Sequence, residues 1–219
     1  MPATSRVGEG PRSDEGVLLG VLSDRGRFGA LRLGAAARLR SGTTLYEGAR
    51  IGDRFQTGHH VVVREQTVIG DDVSVWSNSV IDYGCVVGDD VKIHCNCYVA
   101  QFTEIEEGAF LGPGVVITND LYPGLEDSAA TLSGPLIGAN AHVGGNVTIL
   151  PFVTIGAGAL IGAGSVVTRD VPAGMVAYGC PAVPVRAVED LPPISRRVER
   201  IRETPAGPGR RFRARGGAA

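Results

Sequence analysis

Apolar residues return at every sixth position through most of this chain. The first run extends from Leu33 to Ile117, and only Thr57 within it is not aliphatic. After a gap the period resumes at Ile137 and continues to Val167. Neither a helix of 3.6 residues per turn nor a plain alternating strand keeps one face buried at a strict period of six. Short strands separated by corners, three to each coil, can do so, and the pattern therefore predicts an all-β fold, a parallel β-helix.

Residues 18 apart are expected to stack in columns at roughly 4.8 Å, the usual separation of strands. The column that contains Ile51 and Ile69 has Gly after its apolar anchor in every unit but one, which is typical of plain scaffold. A second column has no Gly there and carries Tyr46, Arg64, Asp82, Ala100, Thr118, Leu150 and Thr168. The third is mixed and contains the triplets 58–60, 76–78 and 94–96. Specialised side chains are therefore predicted at two corners of three.

The bulk composition fits one repeat domain. The chain has 219 residues, 43% of them hydrophobic, with 32 glycines for corners and only 5% aromatic residues. We predict a flexible N-terminus and capping segment over residues 1–32, the β-helix domain over 33–186, and a short helix with a basic flexible tail over 187–219. The net charge of −2 neither favours nor excludes an anionic partner.

The four cysteines show no zinc-type pairing and are predicted to be reduced thiols of a cytoplasmic protein. Cys85 and Cys97 fall four places after an anchor, where the repeat requires a small residue, so packing explains them. No apolar run approaches ~18 residues, and no membrane span is predicted.

One interruption of the repeat is predicted to carry function. Between Ile117 and Ile137 lie 20 residues where six are expected, which leaves a 14-residue insertion in a loop at about 118–136. Long loops that leave a regular solenoid are common binding elements.

Units such as VIGDDVSV, VVGDDVKI, LIGANAHV and TIGAGALI resemble those of the hexapeptide-repeat acyltransferases, whose fold is a left-handed parallel β-helix. The left hand comes from this resemblance, since parallel crossovers are usually right-handed. The segments VKIHCNC and ITNDLYP are similar to bacterial acetyltransferases that act on nucleotide-linked 3-amino sugars. The resemblance implies acetyl-CoA as acyl donor, a dTDP- or UDP-linked 3-amino-deoxyhexose as acceptor, and a homotrimer with sites between subunits.

The resemblance also assigns candidate residues. Asn96 matches the position that orients the acceptor amine, and His94 is the candidate to collect the proton. Substrate binding is predicted for His60, Asn78, Gln101, Asn119, Asp120 and Tyr122. Gly156, Ala157, Gly162 and Ala163 are predicted to admit pantetheine, and Arg169 and Arg186 to meet the phosphates of the cofactor. For the column of His60, Asn78 and Asn96, a purely structural role at the corners is the alternative.

Three other functions are weighed against this one. O-acylation of a sugar or small-molecule hydroxyl uses the same donor, and a non-enzymatic scaffold needs no site at all. A zinc enzyme of the carbonic anhydrase type needs three converging histidines, whereas His59, His60, His94 and His142 are widely separated in sequence. No metal is therefore predicted. No nucleic-acid partner and no membrane partner are predicted either.

Overall fold

The computed structural model describes residues 5–193, which form 26 short strands and two 3₁₀ turns. The strands of the first four coils are β1 Arg6–Val7, β2 Arg12–Ser13, β3 Leu18–Val21, β4 Arg32–Leu33, β5 Arg38–Leu39, β6 Thr44–Tyr46, β7 Arg50–Ile51, β8 Gln56–Thr57, β9 Val62–Val63, β10 Val68–Ile69, β11 Ser74–Val75 and β12 Val80–Ile81. The next four coils contain β13 Val86–Val87, β14 Lys92–Ile93, β15 Tyr98–Val99, β16 Glu104–Ile105, β17 Phe110–Leu111, β18 Val116–Ile117, β19 Leu136–Ile137, β20 His142–Val143, β21 Thr148–Ile149, β22 Thr154–Ile155, β23 Leu160–Ile161 and β24 Val166–Val167. A closing hairpin follows as β25 Met175–Gly179 and β26 Ala182–Ala187, and the 3₁₀ turns cover Ser128–Ala130 and Val188–Asp190.

Every third strand joins the same parallel sheet, so the chain winds through three sheets in turn. The first sheet runs from β1 to β22, the second from β2 to β23 with β25 and β26 added, and the third from β3 to β24. The register between β10 and β13 pairs Ile69 with Val87, 18 residues later. The predicted β-helix with an 18-residue coil is confirmed.

The aliphatic anchors point inward and form one continuous core. Ile81, Ile93 and Ile117 have no exposed surface, and every other anchor from Leu33 to Val167 is buried, with at most 7% of its surface exposed. Cys85 and Cys97 also lie in this core, at 0% and 2% exposed, which confirms the prediction that they serve packing. The core is narrow because each coil has three short strands, one in each sheet, and each strand contributes one inward anchor side chain.

The corners share one backbone conformation. The residue three places after every anchor from Leu33 onward except Ile117 and Val167 has a left-handed φ, whether it is Gly or not; the non-Gly cases are Ala36, Arg54, His60, Gln66, Asp72, Asn78, Asp90, Asn96, Phe102, Asn140, Asn146 and Phe152. The Gly that directly follows many anchors has a different cause, which is close packing between coils. A Cβ on Gly52 would lie 2.7 Å from the carbonyl carbon of Gly70, so no side chain fits there.

The one polar anchor has hydrogen-bond partners. Thr57 is 7% exposed, and its Oγ1 accepts the N–H of Arg40 at 3.0 Å and lies 2.9 Å from Oγ1 of Thr43. These contacts satisfy a hydroxyl that would otherwise be costly to bury.

One coil precedes the predicted start of the repeat at Leu33. Strands β1 to β3 pair in parallel with β4 to β6, and Val7, Ser13 and Leu19 keep the spacing of six. Leu19 and Leu33 are 14 residues apart instead of six, and this eight-residue excess conceals the phase of the first coil. Most of the segment 187–219, for which a short helix and a basic tail are predicted, lies outside the described residues. Within residues 5–193 no helix has the length and apolarity needed to cross a membrane.

Candidate functional site

A chain of polar side chains follows the corner after the third sheet. We call it the corner network; its members are Ser23, Glu47, Arg64, Glu65, Asp82, Tyr98, Gln101 and Asn119. At its centre Asp82 is 7% exposed, and its Oδ2 accepts the hydroxyl of Tyr98 at 2.9 Å and the amide Nε2 of Gln101 at 2.5 Å. Gln101 in turn accepts a hydrogen bond from Nδ2 of Asn119 through its Oε1. A buried carboxylate is thereby linked to the second residue of the inserted loop.

Glu65 and Arg64 form the charged part of the corner network. Glu65 is fully buried and accepts from Arg64 Nε at 2.8 Å and from the hydroxyl of Ser23 at 2.8 Å. Although burial opposes ionisation, the hydrogen bonds from Arg64 and Ser23 lower the pKa of Glu65. Arg64 also lies 3.9 Å from Asp82, so it connects the two carboxylates.

Tyr98 is a hydrogen-bond donor in this network and not a base. Burial, together with its hydrogen bond to Asp82, raises the pKa of Tyr98 to about 12. The phenol therefore stays protonated at neutral pH and holds the Asp82 carboxylate in place.

The inserted loop leaves the β-helix beside Gln101. It occupies residues 118–135, between β18 and β19, and its two ends are joined by the N–H of Ser133 donating to the carbonyl of Asn119 at 3.0 Å. Asp120 accepts the N–H of Tyr122 at 2.9 Å, and the ring of Tyr122 is exposed. Of the predicted substrate-binding residues, the structure thus brings together Gln101 and Asn119, with Asp120 and Tyr122 next to them in the loop.

The remaining predicted substrate-binding residues, His60 and Asn78, and the predicted catalytic residue Asn96 lie at the corner after the second sheet. Asn78 donates its N–H to the carbonyl of His59, and Asn96 donates to Ser77, so His60, Asn78 and Asn96 occupy equivalent places in successive coils. All three are exposed and have φ near 60°. Asn is favoured in that left-handed conformation, which gives the stack a structural role besides any role in binding.

His94 is held in a column of aromatic rings. Its imidazole stacks on Trp76 with ring centroids 4.4 Å apart and lies 5.1 Å from the ring of Phe110. The packing fixes the orientation of the ring while leaving it partly exposed.

The predicted cofactor residues are spread over the fold. Gly156 and Ala157 lie at the corner after the first sheet, Gly162 and Ala163 at the corner after the second, and Arg169 at the corner after the third, while Arg186 is on β26. A Cβ on Gly156 would collide with the backbone of Ala173, and one on Gly162 with the Cβ of Tyr178, so packing alone requires both glycines. A single subunit does not gather these residues, and their role in binding stays a prediction.

Sequence reasoning did not assign Asp82, Arg64, Glu65 or Tyr98 to the site. One signal was available, since Arg64 and Asp82 replace Gly directly after anchors of the third sheet, and Glu47 and Glu65 are 18 residues apart. Among residues 5–193 no group of three His, Cys, Asp or Glu side chains is placed to hold a metal ion.

Three parallel sheets, an 18-residue coil and one inserted loop define a left-handed β-helix of hexapeptide repeats. A family profile described as bacterial transferase hexapeptide (six repeats) matches residues 48–82, 84–119 and 134–169, and one described as hexapeptide repeat of succinyl-transferase matches residues 66–101. The repeat region therefore carries the hexapeptide repeat that these transferase profiles describe. The predicted resemblance to hexapeptide-repeat acyltransferases is confirmed.

Solved structures share the fold at low sequence identity. A UDP-N-acetylglucosamine acyltransferase from Bacteroides fragilis is 15% identical with a TM-score of 0.57, and the alignment covers 93% of this chain and 82% of that one. The acetyltransferase domain of PglB from Neisseria gonorrhoeae is 23% identical (TM-score 0.43, 69% and 57% covered). A perosamine N-acetyltransferase from Caulobacter crescentus is 24% identical (TM-score 0.39, 66% and 56% covered). This chain thus spans little more than half the length of the last two. A search of curated protein sequences finds no match.

Proposed function

We propose that this protein transfers an acetyl group from acetyl-CoA to the amine of a nucleotide-linked 3-amino-deoxyhexose, the nucleotide being dTDP or UDP. The observation that carries the proposal is the Asp82–Gln101–Asn119 chain of hydrogen bonds at the root of the inserted loop, on a β-helix that carries the transferase hexapeptide repeat. A β-helix by itself specifies no reaction. The function therefore depends on the side chains at the corner after the third sheet and at the corner after the second sheet.

The corner network suits recognition of a sugar. Gln101 and Asn119 are partly exposed amides whose mutual orientation is set by the buried Asp82 carboxylate. Amide groups held in this way can exchange hydrogen bonds with hydroxyl groups, and they cost little entropy when a ligand binds because they are already ordered. Tyr122, exposed on the adjacent loop, offers an aromatic surface to the same ligand.

The chemistry requires little from the protein beyond placement. The free amine nitrogen attacks the thioester carbonyl carbon, and formation of the C–N bond gives a tetrahedral intermediate with an oxyanion and an ammonium nitrogen. The ammonium proton passes to a base, and the intermediate then collapses to the amide as the C–S bond breaks and CoA departs as the thiolate. Holding the amine against the thioester supplies most of the rate, and a hydrogen-bond donor for the developing oxyanion supplies more.

Asn96 and His94 are the candidates for these steps. Asn96 is exposed at the corner after the second sheet, where its side chain can accept a hydrogen bond from the amine. His94 is two residues away, with its ring held by Trp76 and Phe110, and would accept the proton.

A homotrimer would bring the two corners together. In one subunit they flank opposite edges of the third sheet, the outer face of which carries an apolar row. The row consists of Leu18, Val62, Val80, Tyr98, Val116 and Val166, and the threonines Thr44 and Thr148 stand between members of the row. An apolar row of this kind favours a subunit contact over an open surface. The trimer predicts a solution mass of about three times 22.8 kDa, and Val116→Arg is expected to dissociate it.

The test is an acetyl-transfer assay against a panel of dTDP- and UDP-linked amino sugars, with release of free CoA thiol as the readout. We expect one 3-amino sugar to exceed the other acceptors by at least tenfold in kcat/KM. The matched controls are the corresponding sugars with a hydroxyl in place of the amine. Preference for a hydroxyl acceptor would contradict N-acetylation and favour O-acylation, and failure to bind acetyl-CoA would favour a scaffold protein.

A further inference from the structure

On the outer face of the second sheet, a glycine interrupts a short run of large side chains in the early coils. The residues that directly follow the anchors of β5, β8, β11 and β14 are Arg40, Gly58, Trp76 and His94, on four neighbouring strands. Gly58 has no side chain, and a Cβ there would collide with the backbone of Ser77. A notch therefore lies between Arg40 and Trp76, whose backbones are two coil spacings, roughly 10 Å, apart.

The notch is part of a cavity of about 280 Å³. Arg38, Arg40, Gln56, His59 and Trp76 supply its functional side chains, and none of the residues that line it is acidic. Arg38 on β5 and Arg40 directly after this strand give the cavity a positive character. Arg40 lies 3.6 Å from Asp14, but both side chains are well exposed, and a pair of that kind contributes little stability and can be displaced by a stronger anion.

The indole of Trp76 is oriented for stacking. Its face toward the next coil is covered by His94, with the ring planes 21° apart, so the opposite face is turned toward Gly58 and the notch. An aromatic ring that entered there would contact the indole on one side and could receive the Arg40 guanidinium on the other. Stacking and cation–π contacts are both favourable in that arrangement.

We infer that this notch binds a nucleoside phosphate, with the base between Trp76 and Arg40 and the phosphates on Arg38 and Arg40. Arginine forms bidentate hydrogen bonds with phosphate, and Gln56 can donate or accept at the edge of a base. The inference rests on the proposed function only in that the ligand would be one of its two substrates. Either the nucleotide of the acceptor or the adenine nucleotide of CoA has this chemistry.

Trp76 is the only tryptophan of the chain, so its fluorescence reports on this site alone. The protein is titrated separately with UDP, dTDP and CoA, with uridine as the nucleoside that lacks phosphates, and with inorganic pyrophosphate as the charged group that lacks a nucleoside. Affinities are confirmed by calorimetry, which is free of absorption by the bases. We expect quenching by a nucleotide at micromolar to millimolar concentration. A response to UDP or dTDP identifies the acceptor as the source, and a response to CoA identifies the donor.

Arg40→Ala should weaken nucleotide binding by about tenfold, because a charge-assisted contact is lost. The matched control is Arg50→Ala, an exposed arginine on the first sheet, which should change the affinity by less than twofold. Trp76→Ala should weaken the binding of nucleotides, as measured by calorimetry, but leave the binding of pyrophosphate unchanged. The inference is overturned if no nucleotide quenches Trp76, if pyrophosphate binds as well as the nucleotides, or if the two arginine variants behave alike.

The outcomes also separate this inference from the proposed function. Acetyl transfer to an amino sugar with a silent Trp76 would refute the notch and leave the function standing. If nucleotides quench Trp76 but no member of the panel is acylated, the nucleotide site stands and the proposed function is refuted.

Discussion

Removing the carboxylate of Asp82 tests the corner network most directly. In Asp82→Ala the hydroxyl of Tyr98 and the amide of Gln101 lose their acceptor, and so does the N–H of Tyr83, which donates to Oδ1 at 2.8 Å. The donors are only partly buried and can turn to water, so the cost is mainly that of the lost charge-assisted bonds, and the free energy of unfolding is expected to fall by about 2–3 kcal/mol. Asp82→Asn keeps the volume and one acceptor, and should cost about 1–2 kcal/mol.

The measurement is equilibrium unfolding in urea, followed by the fluorescence of Trp76, beside steady-state kinetics. Glu104→Ala, which removes an exposed carboxylate on the first sheet, is the matched control and should lie within about 0.5 kcal/mol of the parent. In kinetics, Asp82→Asn should raise KM for the sugar by roughly tenfold, because the amides of Gln101 and Asn119 lose their fixed orientation. KM for acetyl-CoA should change much less. A stability loss equal to that of the control, or equal effects on both KM values, would refute the reasoning.

Three further predictions concern other residues. Asn96→Gly, which keeps the left-handed corner without strain, should lower turnover by roughly 10²-fold if Asn96 positions the amine; near-normal turnover would leave it a purely structural role. Because the pKa of Glu65 is lowered in the folded protein, its stabilising contribution is complete above its ordinary pKa of 4.5 and is lost as the pH falls through the lowered value. Acid unfolding of Glu65→Gln should therefore depend less on pH below 4.5 than that of the parent, and parallel curves would contradict this. Cys180 is exposed, whereas burial raises the pKa of Cys85 to about 12, so a thiol reagent at neutral pH should label Cys180 first and Cys85 only after unfolding; peptide mass mapping decides between them.

The repeat could be predicted from the sequence because each anchor is a local feature. One inward aliphatic side chain per strand, at a spacing of six, identifies the coils from Leu33 to Val167 without any knowledge of their partners. The first coil was not predicted, because the excess residues between Leu19 and Leu33 shift its phase and because Ser13 occupies one of its anchor positions. Three anchors before an interruption, one of them polar, are too few to establish the period, whereas the six anchors from Ile137 to Val167 establish it again after the inserted loop.

The corner network could not be predicted in the same way, since its bonds join different coils. Asp82 meets Tyr98 and Gln101, 16 and 19 residues later. The columns place such residues near each other, but side-chain conformation decides which of them bond. The stack of His60, Asn78 and Asn96 shows the opposite case. Its alignment followed from the spacing alone, whereas the left-handed φ that its members share became apparent only in the structure.

The position of the transferred acetyl group tests the central claim most directly. The protein is incubated with carbon-13-labelled acetyl-CoA and the preferred nucleotide-linked 3-amino sugar, and the product is examined by NMR. An amide, with the labelled carbonyl coupled to the proton on the sugar nitrogen, is the predicted result, and Asn96→Gly should form it far more slowly. A labelled ester on a sugar hydroxyl, or acetyl-CoA left unconsumed with every acceptor of the panel, would contradict the account.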